Sequence, residues 1–386
     1  MTQRPDLAVI GGGLMGLSVA LEARTRGMNV VILEAESCAR HASSASAGGV
    51  RSLNRHPAEI ALTRAALPLW DGLAQRLGRD CGFKRSGQIR VAEDAAAMQA
   101  LEERAAMTAA LGFDHERLLS RAEVRARIPA IADHCLGALS VEDDGFADSL
   151  ATSHAWRHAN AQAGVQIREG TRVTGVERTT GGLRLVTSAG AVEATLVVNT
   201  AGAWGDRIAG LAEGTMPLRT AALQMIVTAR MPAFVDPVVG SQGRKLSLKQ
   251  TAAGSVVIGG AYEGDVHQGP DGPQRGVPRA GLAAANLANA VSVFPQLRAA
   301  RVTRIWTGLE GMTPDGLPYL GHSAHMPGLF HAFGFSAHGF ALAPLIGPLV
   351  ADLLEGKRNN HAIAPFAVNR FDSSKSAQDT IPMKGR

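Results

Sequence analysis

The stretch Asp6-Leu7-Ala8-Val9-Ile10-Gly11-Gly12-Gly13-Leu14-Met15-Gly16, followed by Val30-Val31-Ile32-Leu33-Glu34, decides the fold. Its first five residues read as a buried strand, and the glycines turn the chain at once. A helix from about Leu14 and a second strand closed by Glu34 complete a dinucleotide-binding fingerprint. The acid falls about 20 residues past the last glycine, as that fingerprint requires. Gly11 permits the tight turn, Gly13 lets the backbone approach a pyrophosphate, and Gly16 lets helix and strand pack closely. The helix start, at Leu14 and Met15, points free N–H groups and a positive end at the phosphates. Glu34, with Ala35 beside it, can take both ribose hydroxyls and would repel a 2′-phosphate, which disfavours NADP. Glycine is common here, with 44 in the chain. A plain turn before a core helix would also give the glycine pattern. The ordered series of strand, turn, helix, strand and acid favours the nucleotide. FAD and NAD both stay open at this point.

The chain of 386 residues is long enough for two domains, and 46% hydrophobic content supports a sizeable core. No apolar run is long enough to cross a bilayer. The start Met1-Thr2-Gln3-Arg4-Pro5 lacks the apolar stretch of a secretory signal. The expectation is a cytoplasmic protein, with a peripheral place at a membrane left open. Cys38, Cys81 and Cys135 show neither CxxC nor metal spacing, so reduced thiols and no metal are expected. The net charge is +5, spread along the chain without an aromatic-interleaved basic stripe, which argues against nucleic acid. It suits either anionic substrates or a solvated arginine-rich surface.

Further along, 48–55 reads as a glycine-led loop entering a helix over 57–77. Helices are also expected over 92–111, after the Ser120 cap to Pro129, and over 150–163. A short strand is expected over 136–141. Alternating strands over 165–168, 173–177, 183–187 and 192–198 read as a strand, a short meander and a return strand into the first sheet. Strands of another sheet are expected over 223–229, 245–249 and 255–260, and a flexible loop over 264–278. A helix over 280–293, strands over 302–307, 319–321 and 329–332, and a helix over 341–354 follow. The fold class is α/β: a Rossmann-like nucleotide domain interleaved with an antiparallel-sheet domain. The expected nucleotide segments are 1–82, 146–216 and 304–370. The second domain takes 83–145 and 217–303, and a flexible tail takes 371–386.

Four separated motifs share one resemblance. The first is Gly11-x-Gly13-x-x-Gly16 with Glu34. The second is Arg40-His41-Ala42-Ser43-Ser44-Ala45-Ser46-Ala47-Gly48-Gly49. The third is Val198-Asn199-Thr200-Ala201-Gly202-Ala203-Trp204. The fourth is Gly308 to Gly321 with Gly334-Phe335-Ser336-Ala337-His338-Gly339-Phe340. The chain resembles the FAD-dependent amine and amino-acid oxidoreductases grouped around D-amino acid oxidase, from Leu7 to about Lys357. The resemblance implies non-covalent FAD, since no cysteine lies near Gly308. It implies a flavin loop over Arg40, Ser43, Ser44, Ser46, Ala47, Gly48 and Gly49. Val173 is implied against adenine, and the N–H groups around His338, Gly339, Phe340 and Ala341 are implied beside the flavin. Ala201, Gly202, Trp204, Gly308 and Gly334 complete the implied cofactor set.

The reaction implied is hydride removal from the carbon beside an amine, giving an imine. Three carboxylate anchors found among family members are replaced here by Glu310, Ala337 and Ala341. Arg51 is the first expected substitute anchor, because a guanidinium fits a carboxylate bidentately, and Arg55 is the second. Arg51 could equally contact flavin or a neighbouring acid. Glu310 is expected either to face a cationic substrate group or to neutralise Arg51 or His338. His338 reads as a general base or a polar neighbour of the ring, and Ala337 as part of the substrate wall. Ser247 and Lys249 share one face of a strand, with Ser247 the better match to a pocket position. Val257 stands where sarcosine oxidases carry an oxygen-activating lysine, which tilts the reading towards a dehydrogenase. The expected substrate is a small amino or imino acid, of D-amino acid, glycine- or sarcosine-like, proline- or hydroxyproline-like, or opine-like type. The expected electron acceptor is oxygen or a quinone. A cationic amine without a carboxylate, a partner subunit and a homo-oligomer stay open.

Overall fold

The computed structural model describes residues 4–212, 214–268, 274–358 and 360–372. The opening stretch forms strand Leu7–Ile10, the glycine turn and helix Leu14–Thr25. Leu7–Ile10 lies inside a six-stranded sheet ordered Tyr319–His322, Leu329–Phe333, Leu196–Asn199, Leu7–Ile10, Val30–Leu33, Gln166–Arg168. All neighbours are parallel except the edge strand Tyr319–His322. Strands Leu7–Ile10 and Val30–Leu33 are buried at every residue, as expected of a parallel sheet covered on both faces. Helices Leu14–Thr25 and Gly339–Leu354 pack together on one face. There Ser18 Oγ donates to the Ala343 carbonyl at 2.5 Å and accepts the Gly347 N–H at 3.1 Å.

The second sheet has ten strands. Its order is Gln274–Val277, Glu263–Gln268, Arg219–Arg230, Ser255–Gly259, Ser247–Gln250, Val238–Gln242, Gln88–Ala92, Gly137–Val141 and Arg117–Ser120. The long strand Val302–Met312 also pairs with Arg219–Arg230. The pairing is antiparallel throughout except between Gln88–Ala92 and Val238–Gln242, which run parallel. A three-stranded meander, Val173–Thr179, Gly182–Thr187 and Gly190–Ala194, precedes the return strand. The interleaved two-sheet architecture is therefore the one read from the sequence.

Several local expectations change. The segment 264–278 is not a loop: it forms the hairpin Glu263–Gln268 and Gln274–Val277, whose tip lies outside the described residues. Glu263–Gln268 gains its strand from pairing with Arg219–Arg230, a tertiary partner that overrides its polar composition. The single strand over 192–198 is two, parted at Thr195, because Gly190–Ala194 closes the meander while Leu196–Asn199 enters the first sheet. The helix over 57–77 divides into Pro57–Ala66, a 3-10 turn Leu67–Trp70 and Leu73–Leu77. Pro68 lacks the N–H needed to continue it. Of the expected tail, Phe371 packs its ring 6.0 Å from that of Tyr319, and 373–386 lie outside the described residues. Among the described residues no helix is long and apolar enough to cross a membrane.

Candidate active site

A cavity of about 860 Å³ runs from the glycine turn to the face of the second sheet. Its nucleotide end is shaped by backbone proximity. A Cβ on Gly16 would stand 2.0 Å from the Gly11 carbonyl oxygen and 2.7 Å from Thr200 Oγ1. Gly11 has φ +99°, a left-handed conformation that suits glycine. Thr200 Oγ1 lies 2.9 Å from the Ile10 carbonyl and 3.0 Å from that of Gly11, so the first and third sequence motifs meet at one point. Glu34 accepts the Gly12 N–H at 2.7 Å and the Glu36 N–H at 2.8 Å, which fixes its carboxylate on the cavity wall. The Leu14 N–H at the helix start reaches Ser43 Oγ at 3.0 Å, and Ser46 Oγ accepts the Gly48 N–H at 3.1 Å. A Cβ on Gly48 would meet the Ala147 carbonyl at 2.1 Å, so only glycine lets this loop hug the cavity. These features fit a dinucleotide cofactor: a cradle that side chains would fill, a helix N-terminus and an acid for a ribose.

Most of the expected cofactor residues line the cavity, including Val173, Ala201, Gly202, Trp204, Gly308, Gly334, Gly339 and Phe340. Gly16, Ser44, His338 and Ala341 do not. Gly16 acts by packing behind the turn. The Ser44 and Ala341 carbonyls are taken by Ser149 Oγ at 3.0 Å and Trp70 Nε1 at 2.9 Å.

The other end of the cavity gathers Arg51, Arg55, Ser247, Glu310 and Ala337. Arg51 donates to the Leu53 carbonyl at 2.9 Å, and Arg55 donates from Nε to the Arg51 carbonyl at 3.0 Å. Arg55 is 2% exposed, and its Nη1 is buried without a hydrogen-bond partner among the described residues. Burial, then the like charge of Arg51, pulls Arg55 down to about 9, still cationic at neutral pH. Two buried acids lie nearby and favour the charged form of both arginines. Asp144 accepts the Ser52 and Leu53 N–H groups, and Glu59 lies 2.7 Å from His338 Nδ1 through one oxygen, while its other oxygen has no hydrogen-bond partner among the described residues.

Among the described residues, Glu310 makes no hydrogen bond or ion pair with Arg51 or His338. It accepts the Ala337 N–H at 3.0 Å. Enclosure by protein pushes its carboxyl up to about 7. The residue it holds is strained: Ser336 and Ala337 have φ of +50° and +67°. Each such conformation costs on the order of 1 kcal/mol or more for a residue with a Cβ. Ser336 Oγ, accepting the Thr313 N–H at 3.1 Å, secures the same turn. His338 turns from the cavity towards Glu59. Burial lowers it to about 4, so its ring is neutral at physiological pH and donates from Nδ1 to Glu59.

Of the pair on one strand, Ser247 lines the cavity and Lys249 does not. Lys249 donates to the Ala147 carbonyl at 3.0 Å, stands 4.3 Å from the Phe146 ring centre and faces Val257 across the strand pair. Burial lowers it to about 8. Sequence reasoning missed Gln88 and Arg90, which line the cavity from strand Gln88–Ala92. The alternation Gln-Ile-Arg-Val was their signal: Ile89 and Val91 enter the core, leaving Gln88 and Arg90 on the opposite face.

Comparison with known proteins agrees with this geometry. A family model described as FAD dependent oxidoreductase (DAO) matches residues 6–353. The chain is 30% identical to glycine oxidase of Geobacillus kaustophilus (strain HTA426) over 384 residues, covering 96% of this chain and 98% of that protein. It is 27% identical to an opine oxidase subunit of Rhizobium meliloti, covering 96% of this chain and 99% of that protein. The crystal structure of the G. kaustophilus glycine oxidase superposes with a TM-score of 0.85 at 27% identity, covering 96% of this chain and 99% of that one. The chain belongs to the DAO family of FAD-dependent oxidoreductases.

Proposed function

We propose that this enzyme oxidises the C–N bond of a small amino or imino acid to an imine, which water then hydrolyses. The observation that carries the reading is one cavity holding a guanidinium pair, Arg51 and Arg55, with no acid in ion-pair contact among the described residues, and a separate carboxyl, Glu310, raised to about 7. The glycine turn, Glu34, the loop Ser43 to Gly49 and the N–H groups at the start of helix Gly339–Leu354 would hold FAD. When bound, FAD supplies the two-electron acceptor for the hydride. Arg51 would grip the substrate carboxylate, with Arg55 behind it, and so fix the carbon that is oxidised. Glu310 would take a proton from the substrate ammonium, so that the amine reacts neutral. The cavity walls would shield the reacting carbon from water.

This assigns Glu310 a pH signature. Only the ionised carboxyl can accept the proton, and ionisation grows as pH rises through about 7. The expected kcat/KM profile therefore climbs through that region, and Glu310→Gln loses the limb while still offering an oxygen to the Ala337 N–H. An unchanged limb in the variant would remove Glu310 from proton transfer. Similarity to a protein named as part of an oxidase of several chains supports a second reading, in which this chain hands its electrons on inside a larger complex. The flavin would then be reduced by substrate yet turn over slowly without that partner. We place the enzyme in the cytoplasm, with oxygen or a quinone as the terminal acceptor.

A further inference from the structure

We propose that Arg90, with Gln88 beside it, forms a second anion subsite, and that the preferred substrate carries another carboxylate besides the one next to the reacting carbon. The proposal rests on the reading of Arg51 and Arg55 as the anchor for the first carboxylate. One bidentate guanidinium contact, supported by a second arginine, is enough for one carboxylate. Arg90 is a further guanidinium on the same cavity, and it too lacks an ion pair among the described residues. Its Nε donates to Gln242 Oε1 at 2.6 Å, which orients the group and leaves both terminal nitrogens without a hydrogen bond among the described residues. Arg104, the neighbour that adds to the positive field around Arg90, is already paired with Glu116 at 2.8 Å.

Gln88 lines the same cavity and is buried, and its Oε1 has no hydrogen-bond partner among the described residues. Burial first, and then the charge of Arg51, lowers Arg90 to about 10, so it stays cationic at neutral pH.

The sheet also leaves room for a longer substrate. Arg90 lies in register with Gly240, Gly240 with Ser247, and Ser247 with Gly259. Strands are about 4.8 Å apart, so this row runs roughly 14 Å across the cavity floor. Its middle bears nothing larger than a serine side chain. Over Gly259 the row is closed by the Met225 side chain, whose Sδ lies 2.7 Å from where a Cβ would stand. A shallow trough thus leads from the middle of the floor to Arg90.

The test uses the FAD-loaded enzyme and two ligands in which sulfur replaces the amine nitrogen. Methylthioacetate carries one carboxylate and thiodiacetate carries two. By calorimetry, thiodiacetate is expected to bind at least about tenfold more tightly, the scale of one added charge-assisted contact. Arg90→Gln is expected to bring that ratio to about one, and Arg90→Lys to keep part of it. Equal affinities in the unmodified enzyme, or a ratio unchanged by Arg90→Gln, would overturn the second subsite alone. Failure of both ligands to bind would overturn the anchor reading as well. The ratio in the unmodified enzyme decides the matter even if the glutamine variant folds poorly.

Discussion

Gly16→Val is expected to give a colourless protein that no longer retains FAD. The added Cβ would lie 2.0 Å from the Gly11 carbonyl oxygen, well inside any van der Waals contact. That obstacle is backbone, and Thr200 closes the other side at 2.7 Å. Relief requires helix Leu14–Thr25 to move off strand Leu7–Ile10, and that movement opens the turn meant for the pyrophosphate. Overpacking of this kind costs about 1–3 kcal/mol or more, so a loss of about 5- to 150-fold or more in FAD affinity is expected. Flavin absorbance of the purified variant, before and after gel filtration with added FAD, measures it. Gly27→Ala is the control. Gly27 has φ +93°, but a Cβ there meets nothing within 4 Å, so it should lose some stability and stay yellow. A yellow Gly16→Val protein with ordinary FAD affinity would dissociate the glycine turn from the cofactor.

Arg51→Ala is expected to lower kcat/KM by about 10²- to 10³-fold on an amino-acid substrate while FAD stays bound, the usual cost of removing one partner of a buried charge pair. Arg51 is chosen over Arg55 on accessibility. Arg55 is almost wholly enclosed and spends its Nε on the Arg51 carbonyl, so it supports from behind. Arg51 lines the cavity and is only partly exposed. The loss should fall mainly on KM, because the interaction is present in both ground and transition states. Arg51→Lys should recover some binding by charge without the bidentate geometry. If KM for amino acids is unmoved and amines lacking a carboxylate are turned over as well, the cationic-amine reading takes its place.

The nucleotide end of this site is legible in sequence because it is local. Gly11, Gly13, Gly16 and Glu34 lie within one strand–turn–helix–strand unit, and the Glu34 carboxylate accepts the Gly12 N–H inside it. The substrate end is assembled from afar. Arg90 is oriented by Gln242, 152 residues on, through the one parallel pairing of an otherwise antiparallel sheet. Strands of four or five residues give little periodicity to read. Glu310 shows the same limit: its type flagged it, but its partner is a backbone N–H 27 residues away, on a turn that left-handed Ser336 and Ala337 create. His338 sits in a motif that the resemblance places beside the flavin, yet its side chain is claimed by Glu59 on another helix. Motif position gives where a backbone runs. Which way a side chain turns depends on the tertiary partner.

The central claim, FAD-dependent oxidation of an amino- or imino-acid C–N bond, is tested most directly by anaerobic reduction. The purified protein would be mixed with D- and L-amino acids, N-alkyl glycines, cyclic imino acids and N-carboxyalkyl amino acids while its visible spectrum is followed. The expected result is a yellow protein whose flavin absorbance bleaches with members of this panel, with the matching oxo acid appearing as the imine hydrolyses. A flavin that stays oxidised against the whole panel, or a colourless protein that binds NAD instead, would contradict it.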